Sequence, residues 1–177
     1  NAGLSWAPMN DGLESLSVTS ILFDDMEQPL LAAARERDAS DLSELFGVNV
    51  ETEPGALYQW DDGASMWLRI AETEITTAVL SLDASPLDPT RIYAGTLDGV
   101  FISSDGGTTW ERRSVGMPGP EARYGINVAV SPFDPDLVAC GTWYWGISMS
   151  TDAGAHWFHY SENLYPTRVQ QIVWDWE

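Results

Sequence analysis

The chain has 177 residues, of which 44% are hydrophobic, so it can bury a core and is neither disordered nor fibrous. Acidic residues number 27 against 8 basic ones, which gives a formal charge of -19 at pH 7. A surface this acidic repels phosphate backbones, so we expect no nucleic-acid partner. No apolar run approaches the roughly 18 residues of a membrane-spanning helix, so the chain is not expected to span a membrane.

Short strands separated by Pro, Gly and Asp turns recur along the chain. The clearest copy predicts four strands within about 45 residues, which is the length of one blade of a β-propeller. These strands are predicted at Ile126–Val130, Leu137–Gly141, Gly146–Ser150 and His156–Tyr160. The predicted fold class is therefore all-β, a β-propeller of about three four-stranded blades in an incomplete ring.

In chain order, the repeats divide the sequence into five segments. We predict the outer strand of a preceding blade at 1–16, blades at 17–75, 76–125 and 126–167, and the first strand of a further blade at 168–177. Propellers typically need about four to eight blades to close, and open strand edges invite pairing. We therefore expect both flanks to be covered, by further blades or by a protein partner.

The first blade, at 17–75, carries an insertion at 34–55 between its second and third strands. The acidic start and glycine end of 41–47 predict a short helix, with Leu42 and Phe46 on its apolar side. Long loops on a repeat scaffold often carry binding contacts. We expect Leu42 and Phe46 to bind a partner, and the alternative is a plain surface loop.

The second and third blades each carry the turn pattern S-x-D-x-G-x-T-W before the last strand. The second blade fills it with Ser103, Asp105, Gly107, Thr109 and Trp110. The third fills it with Ser150, Asp152, Gly154 and Trp157, and has His156 where Thr is usual. The aspartate can accept hydrogen bonds from its own turn, the glycine supplies a positive φ, and the tryptophan offers a large apolar face. We therefore expect these residues to be structural rather than catalytic.

This turn pattern resembles the Asp box of the bacterial-neuraminidase repeat. Through this turn pattern the chain is similar to sortilin-type, xyloglucanase-type and photosystem-assembly-factor-type propellers. The resemblance covers nearly the whole chain and implies the propeller fold. It also implies that the box joins the third and fourth strands of a blade, on the face opposite the ligand. It leaves the function open, because these families differ in what they bind or cleave.

Three successive aromatic residues, Trp143, Tyr144 and Trp145, follow the second predicted strand of the third blade. The second blade has Leu97-Asp98-Gly99 at the equivalent place, so Asp98 belongs to the same candidate binding surface. Three neighbours cannot all point to one side of a strand, so at least one should face solvent or a partner. Aromatic side chains suit sugar stacking or a protein interface, and packing under neighbouring loops is the alternative.

The resemblance to xyloglucanases implies one candidate for catalysis. Glu53, in Thr52-Glu53-Pro54-Gly55, is similar in position to their catalytic carboxylate, with Glu in place of Asp. The second carboxylate of those enzymes lies in a domain that this sequence does not include. The Arg-Ile-Pro segment of sialidases is absent. We therefore expect the chain not to be an enzyme.

No cofactor or metal site is predicted, because His156 and His159 have no third ligand nearby and Cys140 is the only cysteine. Cys140 lies in an apolar run, where a buried, inert thiol is the default. The expected function is a non-catalytic propeller segment that acts as a protein–protein interaction scaffold or accessory subunit of a larger extracytoplasmic assembly, periplasmic or secreted. The alternative is a fragment of a secreted glycan-binding or glycoside-hydrolase propeller, with carbohydrate as its ligand.

Overall fold

The computed structural model describes residues 8–14, 17–24, 28–35, 55–70, 73–118, 125–142, 145–160 and 169–175. Within them the chain forms three antiparallel sheets of four strands each, and the four strands of a sheet follow one another in the chain. The predicted all-β class with four-stranded units is confirmed. The described residues contain no helix, and so no helix that could cross a membrane. The helix expected at 41–47 lies outside them.

The strands of each sheet are numbered in chain order. The first sheet contains β1 (Ser17–Phe23), β2 (Pro29–Arg35), β3 (Gly55–Asp61) and β4 (Met66–Arg69). The second contains β5 (Val79–Ser85), β6 (Asp88–Thr96), β7 (Gly99–Ser103) and β8 (Glu111–Arg112). The third contains β9 (Gly125–Val130), β10 (Val138–Thr142), β11 (Ile147–Ser150) and β12 (Phe158–His159).

The second sheet packs against both of the others. In β6, Ile92 and Ala94 join a buried cluster with the first sheet, whereas Tyr93 joins a cluster with the third. Alternate side chains of a strand point to opposite faces, so both faces of β6 are covered and its buried run is continuous. Full burial of one large apolar side chain stabilises the fold by about 1.5–3 kcal/mol.

The first strands of the three sheets lie side by side, with β5 between β1 and β9. Val128 N donates a hydrogen bond to Ser81 Oγ at 3.0 Å, and Val130 N donates to Asp83 Oδ2 at 2.7 Å. Both pairs advance by two residues, so β5 and β9 run in the same direction. Side-chain acceptors therefore link the first strands of these neighbouring sheets.

In the first and third sheets, the tryptophan near the start of the fourth strand is held by the segment that precedes the sheet. Trp157 N donates to Val115 O at 2.8 Å, and its Nε1 donates to Arg113 O at 3.0 Å. Trp67 makes the same pair of bonds to carbonyls of segment 8–14, at 2.8 and 2.9 Å. Each of these segments therefore fixes the outer edge of the sheet that follows it.

The segment Val169–Asp175 lies beside the third sheet but is not itself a strand. Val169 N donates to Thr142 O at 3.3 Å, and the Val169 side chain packs over Gly141. A Cβ at Gly141 would come within 2.6 Å of Val169 Cγ1. The strand expected at 168–177 and the limits of the blades stay predictions.

Candidate functional site

Each sheet presents its turns at two opposite ends, because its strands are antiparallel. We call the end that carries the β6–β7 and β10–β11 turns the Trp145 end. The opposite end carries the β7–β8 and β11–β12 turns and the turns after the first strands, and we call it the Asp105 end. Since β5 and β9 run in the same direction, the two ends coincide between the second and third sheets.

The Trp145 end presents an exposed aromatic side chain. Trp145 is 39% exposed, and its N donates to Oγ1 of the buried Thr142 at 3.0 Å. Thr142 Oγ1 in turn donates to Gly146 O at 3.2 Å, so a buried hydroxyl fixes the turn. Gly146 has φ +69°, which favours glycine. The main chain of Trp145 is therefore held in this turn, and its side chain is partly exposed.

Asp98 occupies the equivalent turn of the second sheet. Its N donates to Thr96 Oγ1 at 3.0 Å, which repeats the bond between Trp145 and its threonine. Arg112 Nε donates to Asp98 O at 2.7 Å and lies 3.4 Å from the carboxylate. The side chain of Asp98 is thus engaged by an arginine of its own sheet. The other predicted binding residues, Leu42, Phe46, Trp143 and Tyr144, lie outside the described part of the chain.

At the Asp105 end, the Asp105 carboxylate accepts hydrogen bonds from its own turn. Thr109 donates from Oγ1 at 2.6 Å and from N at 2.9 Å, Ser103 Oγ donates at 2.7 Å, and Thr108 N donates at 3.1 Å. The Thr109 hydroxyl, the Thr109 N–H and the Ser103 hydroxyl lower the pKa of Asp105 to about 2. Trp110, at the end of this turn, is buried and donates from Nε1 to Gly107 O at 2.9 Å.

Asp152 repeats this arrangement in the third sheet with one substitution. His156 N donates to Asp152 Oδ1 at 2.8 Å, and His156 Nδ1 lies 2.8 Å from Oδ2. The imidazole therefore takes the position of the Thr109 hydroxyl. Ser150 Oγ donates at 2.8 Å, and these bonds, led by the His156 N–H, lower the pKa of Asp152 to about 2.

A cavity of about 310 Å³ lies at the Asp105 end, between β5, β9 and the segment Val169–Asp175. We call it the Asp83 cavity. Asp83 accepts from Ala84 N at 2.9 Å as well as from Val130 N. Burial raises the pKa of Asp83 above its ordinary value, and the two N–H donors oppose this rise. Apart from Asp83 the lining is apolar, and Trp174 is its aromatic member.

Sequence reasoning did not find this cavity. One signal was present: aligned on the two Ser-Pro-x-Asp-Pro segments, the second blade has Asp83 where the third has Ala129. A carboxylate on a largely buried first strand is costly to bury unless it is hydrogen-bonded, so it marks a position where polar chemistry replaces packing.

No family model matches the chain. Among curated proteins, the one named "Probable oligoxyloglucan-reducing end-specific xyloglucanase" from Neosartorya fischeri is 27% identical over 122 residues, which covers 60% of this chain. The chain spans 15% of the length of that relative.

Three solved structures show the fold. The GH74 xyloglucanase from Xanthomonas campestris matches with a TM-score of 0.54 and 23% identity, over 80% of this chain and 20% of that one. The extracellular domain of BT3049 from B. thetaiotaomicron matches with a TM-score of 0.60 and 13% identity, over 93% of this chain and 21% of that one. YCF48 bound to a peptide matches with a TM-score of 0.50 and 15% identity, over 89% of this chain and 43% of that one. The three sheets are therefore blades of a β-propeller, as predicted.

The comparisons correct one expectation. The sequence led us to expect that the chain is not an enzyme, because we found only one candidate carboxylate, Glu53. That expectation is wrong, because the comparisons point to an enzyme family: the curated relative at 27% identity is named as a xyloglucanase. The missing partner carboxylate was a poor guide because the chain spans only 15% of the length of that relative. Glu53 itself lies outside the described residues.

Proposed function

We propose that this chain supplies blades to a secreted glycoside-hydrolase propeller that acts on β-glucans of the xyloglucan type. The observation that carries the proposal is the 27% identity to the protein named as a xyloglucanase. The partly exposed side chain of Trp145 supports it, because an aromatic face is suited to stacking on a sugar ring. The ligand surface is then the Trp145 end of the blades, and the location is extracytoplasmic.

We further propose that the β7–β8 and β11–β12 turns are Asp boxes with a structural role. Every hydrogen bond described above for the carboxylates of Asp105 and Asp152 comes from the same turn. Both residues lie at the end of the blades opposite Trp145. This arrangement supports a division between one end that maintains the turns and another that meets the ligand.

Glu53 is the carboxylate that this function assigns to catalysis. It stands two residues before β3 begins at Gly55. A glycoside hydrolase commonly uses two carboxylates, so Glu53 would act with a second group from another part of the protein. The assignment rests on sequence resemblance to the xyloglucanase segment.

Glycan binding tests the proposal directly. Isothermal titration with xyloglucan oligosaccharides should show saturable binding that Trp145→Ala weakens about 2- to 13-fold, since a lost aromatic contact costs about 0.5–1.5 kcal/mol. Phe133→Ala is the matched control, because Phe133 is 63% exposed in the same sheet but at the Asp105 end. Equal losses in the two variants, or no binding by the parent chain, would refute the Trp145 end as the glycan surface.

The catalytic part of the proposal needs the longer protein in which these blades occur. Release of reducing sugar from xyloglucan oligosaccharides should be lost in Glu53→Gln, while binding in the same titration should persist. Turnover that survives the substitution would remove Glu53 from the mechanism and leave the glycan surface standing.

Protein binding at the Asp105 end is the second candidate function. Leu87 and Phe133 occupy equivalent positions after β5 and β9, and they are 60% and 63% exposed. A repeated exposed apolar pair suits a protein interface of an interaction scaffold. A photo-crosslinking residue at Phe133 should capture a defined protein in the native host, whereas the same residue at Trp145 should not. Capture of a protein only from Trp145 would count against protein binding at the Asp105 end.

A further inference from the structure

The Asp83 cavity combines one carboxylate with apolar walls. Among the described residues that line it, Asp83 alone is charged. The others are apolar and come from β5, β9, the turns that follow these two strands and the segment Val169–Asp175. Its volume of about 310 Å³ is at the lower end of the range for small-molecule sites, about 300–1,000 Å³. The cavity therefore has room for about one side chain.

The Asp83 carboxylate is hydrogen-bonded but not neutralised. Each of its oxygens accepts one main-chain N–H, Oδ1 from Ala84 and Oδ2 from Val130. A carboxylate oxygen can accept a second bond, so each oxygen has one position left. No basic side chain of the described residues forms an ion pair with Asp83. A partly buried carboxylate without a counter-charge is unfavourable, so a ligand that brings a positive charge here is stabilised.

These surroundings select a cation with an apolar stem. Asp83 repels an anion, and a metal ion finds one carboxylate here where it needs several oxygen ligands. The side chains of lysine and arginine have the required combination, because each carries its charge at the end of an aliphatic stem. Arginine matches the carboxylate best, since its planar guanidinium can donate to both oxygens at once and is more weakly hydrated than an ammonium.

The surface beside the cavity indicates that this basic group belongs to a protein. Pro86 and Pro132 line the cavity. The residues that follow these prolines, Leu87 and Phe133, are 60% and 63% exposed. Exposed apolar side chains next to a carboxylate suit a peptide segment in which apolar residues flank a basic one. The formal charge of -19 also attracts a basic partner.

We propose that the Asp83 cavity receives an arginine side chain from a basic segment of a protein partner. The guanidinium pairs with Asp83, its stem contacts the apolar walls, and the residues on either side of the arginine pack on Leu87 and Phe133. The inference rests on the second candidate function, protein binding at the Asp105 end, and names the chemistry of the partner. This surface is at the end of the blades opposite Trp145, so a protein here leaves the Trp145 end uncovered.

Short peptides and a ¹⁵N-labelled full chain test this proposal. The main-chain N–H cross-peaks of Ala84 and Val130, which donate to Asp83, should shift saturably with acetyl-Leu-Arg-Leu-amide. The same peptide with citrulline, a neutral isostere of arginine, should bind at least several-fold more weakly. The Trp157 indole cross-peak is the internal control, because this N–H is bonded to Arg113 O. Static Ala84 and Val130 cross-peaks, or equal affinity for the two peptides, would overturn the proposal.

Two pairs of variants separate the cavity from general attraction to an acidic chain. Asp83→Asn should weaken binding of the arginine peptide at least several-fold, whereas Asp62→Asn, at an exposed aspartate of the β3–β4 turn, should not. Val173→Arg places a competing cation at the cavity and should also weaken binding. Val115→Arg is its control, because Val115 is exposed in the segment that precedes the third sheet. Equal losses within either pair would overturn the proposal.

The same peptides distinguish this inference from protein binding at the Asp105 end in general. Binding that Phe133→Ser weakens and Asp83→Asn does not would overturn the cavity and leave an apolar protein interface in place. Binding that Asp83→Asn weakens and Phe133→Ser does not would support the cavity and remove Phe133 from the interface. If Asp83→Asn fails to fold, Val173→Arg and Val115→Arg decide, because both valines are exposed.

Discussion

Asn127 Oδ1 accepts a hydrogen bond from the main-chain N–H of Ile172 at 3.1 Å. One blade earlier, Ser81 Oγ accepts from Val128 N at 3.0 Å. Ser81 and Asn127 occupy equivalent positions of the repeat, on the first strands β5 and β9. In the third repeat Ile172 therefore takes the place that Val128 takes in the second.

The first blade shows the same relationship, since Ser20 Oγ accepts from Leu82 N at 3.1 Å. In all three cases a polar side chain on the first strand of one blade accepts a hydrogen bond from a main-chain N–H of the neighbouring first strand or, after β9, of the segment Val169–Asp175. A first strand pairs with a strand on one side, so its other side needs such acceptors. The repetition favours the prediction that 168–177 opens a further blade.

Removing one of these acceptors should weaken the contact between blades. Ser81→Ala leaves the buried Val128 N–H without its partner, so we expect the free energy of unfolding to fall by about 1–3 kcal/mol. Urea denaturation measures the loss, and Ser104→Ala, at an exposed serine of the same sheet, is the control. Wild-type stability in Ser81→Ala would show that the acceptor contributes nothing.

The bonds that hold Trp157 require close approach by a glycine. Gly116 has φ +88°, and a Cβ there would lie 2.4 Å from Trp157 O. Gly116→Ala should therefore destabilise by more than about 1 kcal/mol, through backbone strain and steric overlap together. Gly106→Ala isolates the strain, because Gly106 has φ +74° with nothing within 4 Å of the added Cβ. Equal unfolding free energies for the two variants would show that steric overlap with Trp157 O adds nothing to the backbone strain.

The strand pattern was readable from sequence because each blade repeats the same turn chemistry. The second strand of the third blade was predicted at Leu137–Gly141 and lies at Val138–Thr142, one residue later. The fourth was predicted at His156–Tyr160, but only Phe158–His159 pairs as a strand. The predicted strand does not begin at His156 because Trp157 N donates to Val115 O, in the segment before the sheet, instead of to β11.

The site was less predictable than the fold. Trp145 could be singled out because three adjacent aromatics exceed what one strand face can bury. The Asp83 cavity could not, since it joins residues of β5, β9 and Val169–Asp175 that lie far apart in the sequence. A periodic pattern shows which residues share a blade, whereas the space left between first strands depends on how the blades pack.

The thiol of Cys140 should be unreactive in the folded protein. Cys140 is fully buried on β10, and burial raises the pKa of its thiol to about 12. Because the thiolate is the reacting species, almost none is present at pH 8. A chromogenic disulfide reagent should label it in denaturant and not in native buffer. Rapid native labelling would show that the third blade opens readily around β10.

Stability should depend on acid through Asp105 and Asp152. The pKa of each is lowered from 3.8 to about 2 in the folded state. A lowered folded pKa favours the folded state above pH 3.8, and this contribution is lost as the pH falls through about 2. Asp83, whose pKa burial raises, works in the opposite direction, so the test compares variants rather than the parent alone.

Asp105→Asn with Asp152→Asn removes both charges at every pH. The melting temperature of this double variant should lie below that of the parent at pH 6, and the two should converge near pH 2. A difference that stays constant over this range would mean that ionisation of the two carboxylates contributes nothing.

His156 provides the sharpest check on the turn, because it departs from the sequence pattern and yet makes the expected bond. Its Nδ1 lies 2.8 Å from Asp152 Oδ2, where Thr109 Oγ1 lies 2.6 Å from Asp105 Oδ2. His156→Thr should therefore keep the melting temperature close to that of the parent, since a hydroxyl can donate to the same oxygen. His156→Ala removes the side-chain donor of residue 156 but keeps its main-chain donor and the Ser150 hydroxyl, and it should melt lower than either. A threonine variant as unstable as the alanine variant would show that the imidazole is held by more than this one hydrogen bond.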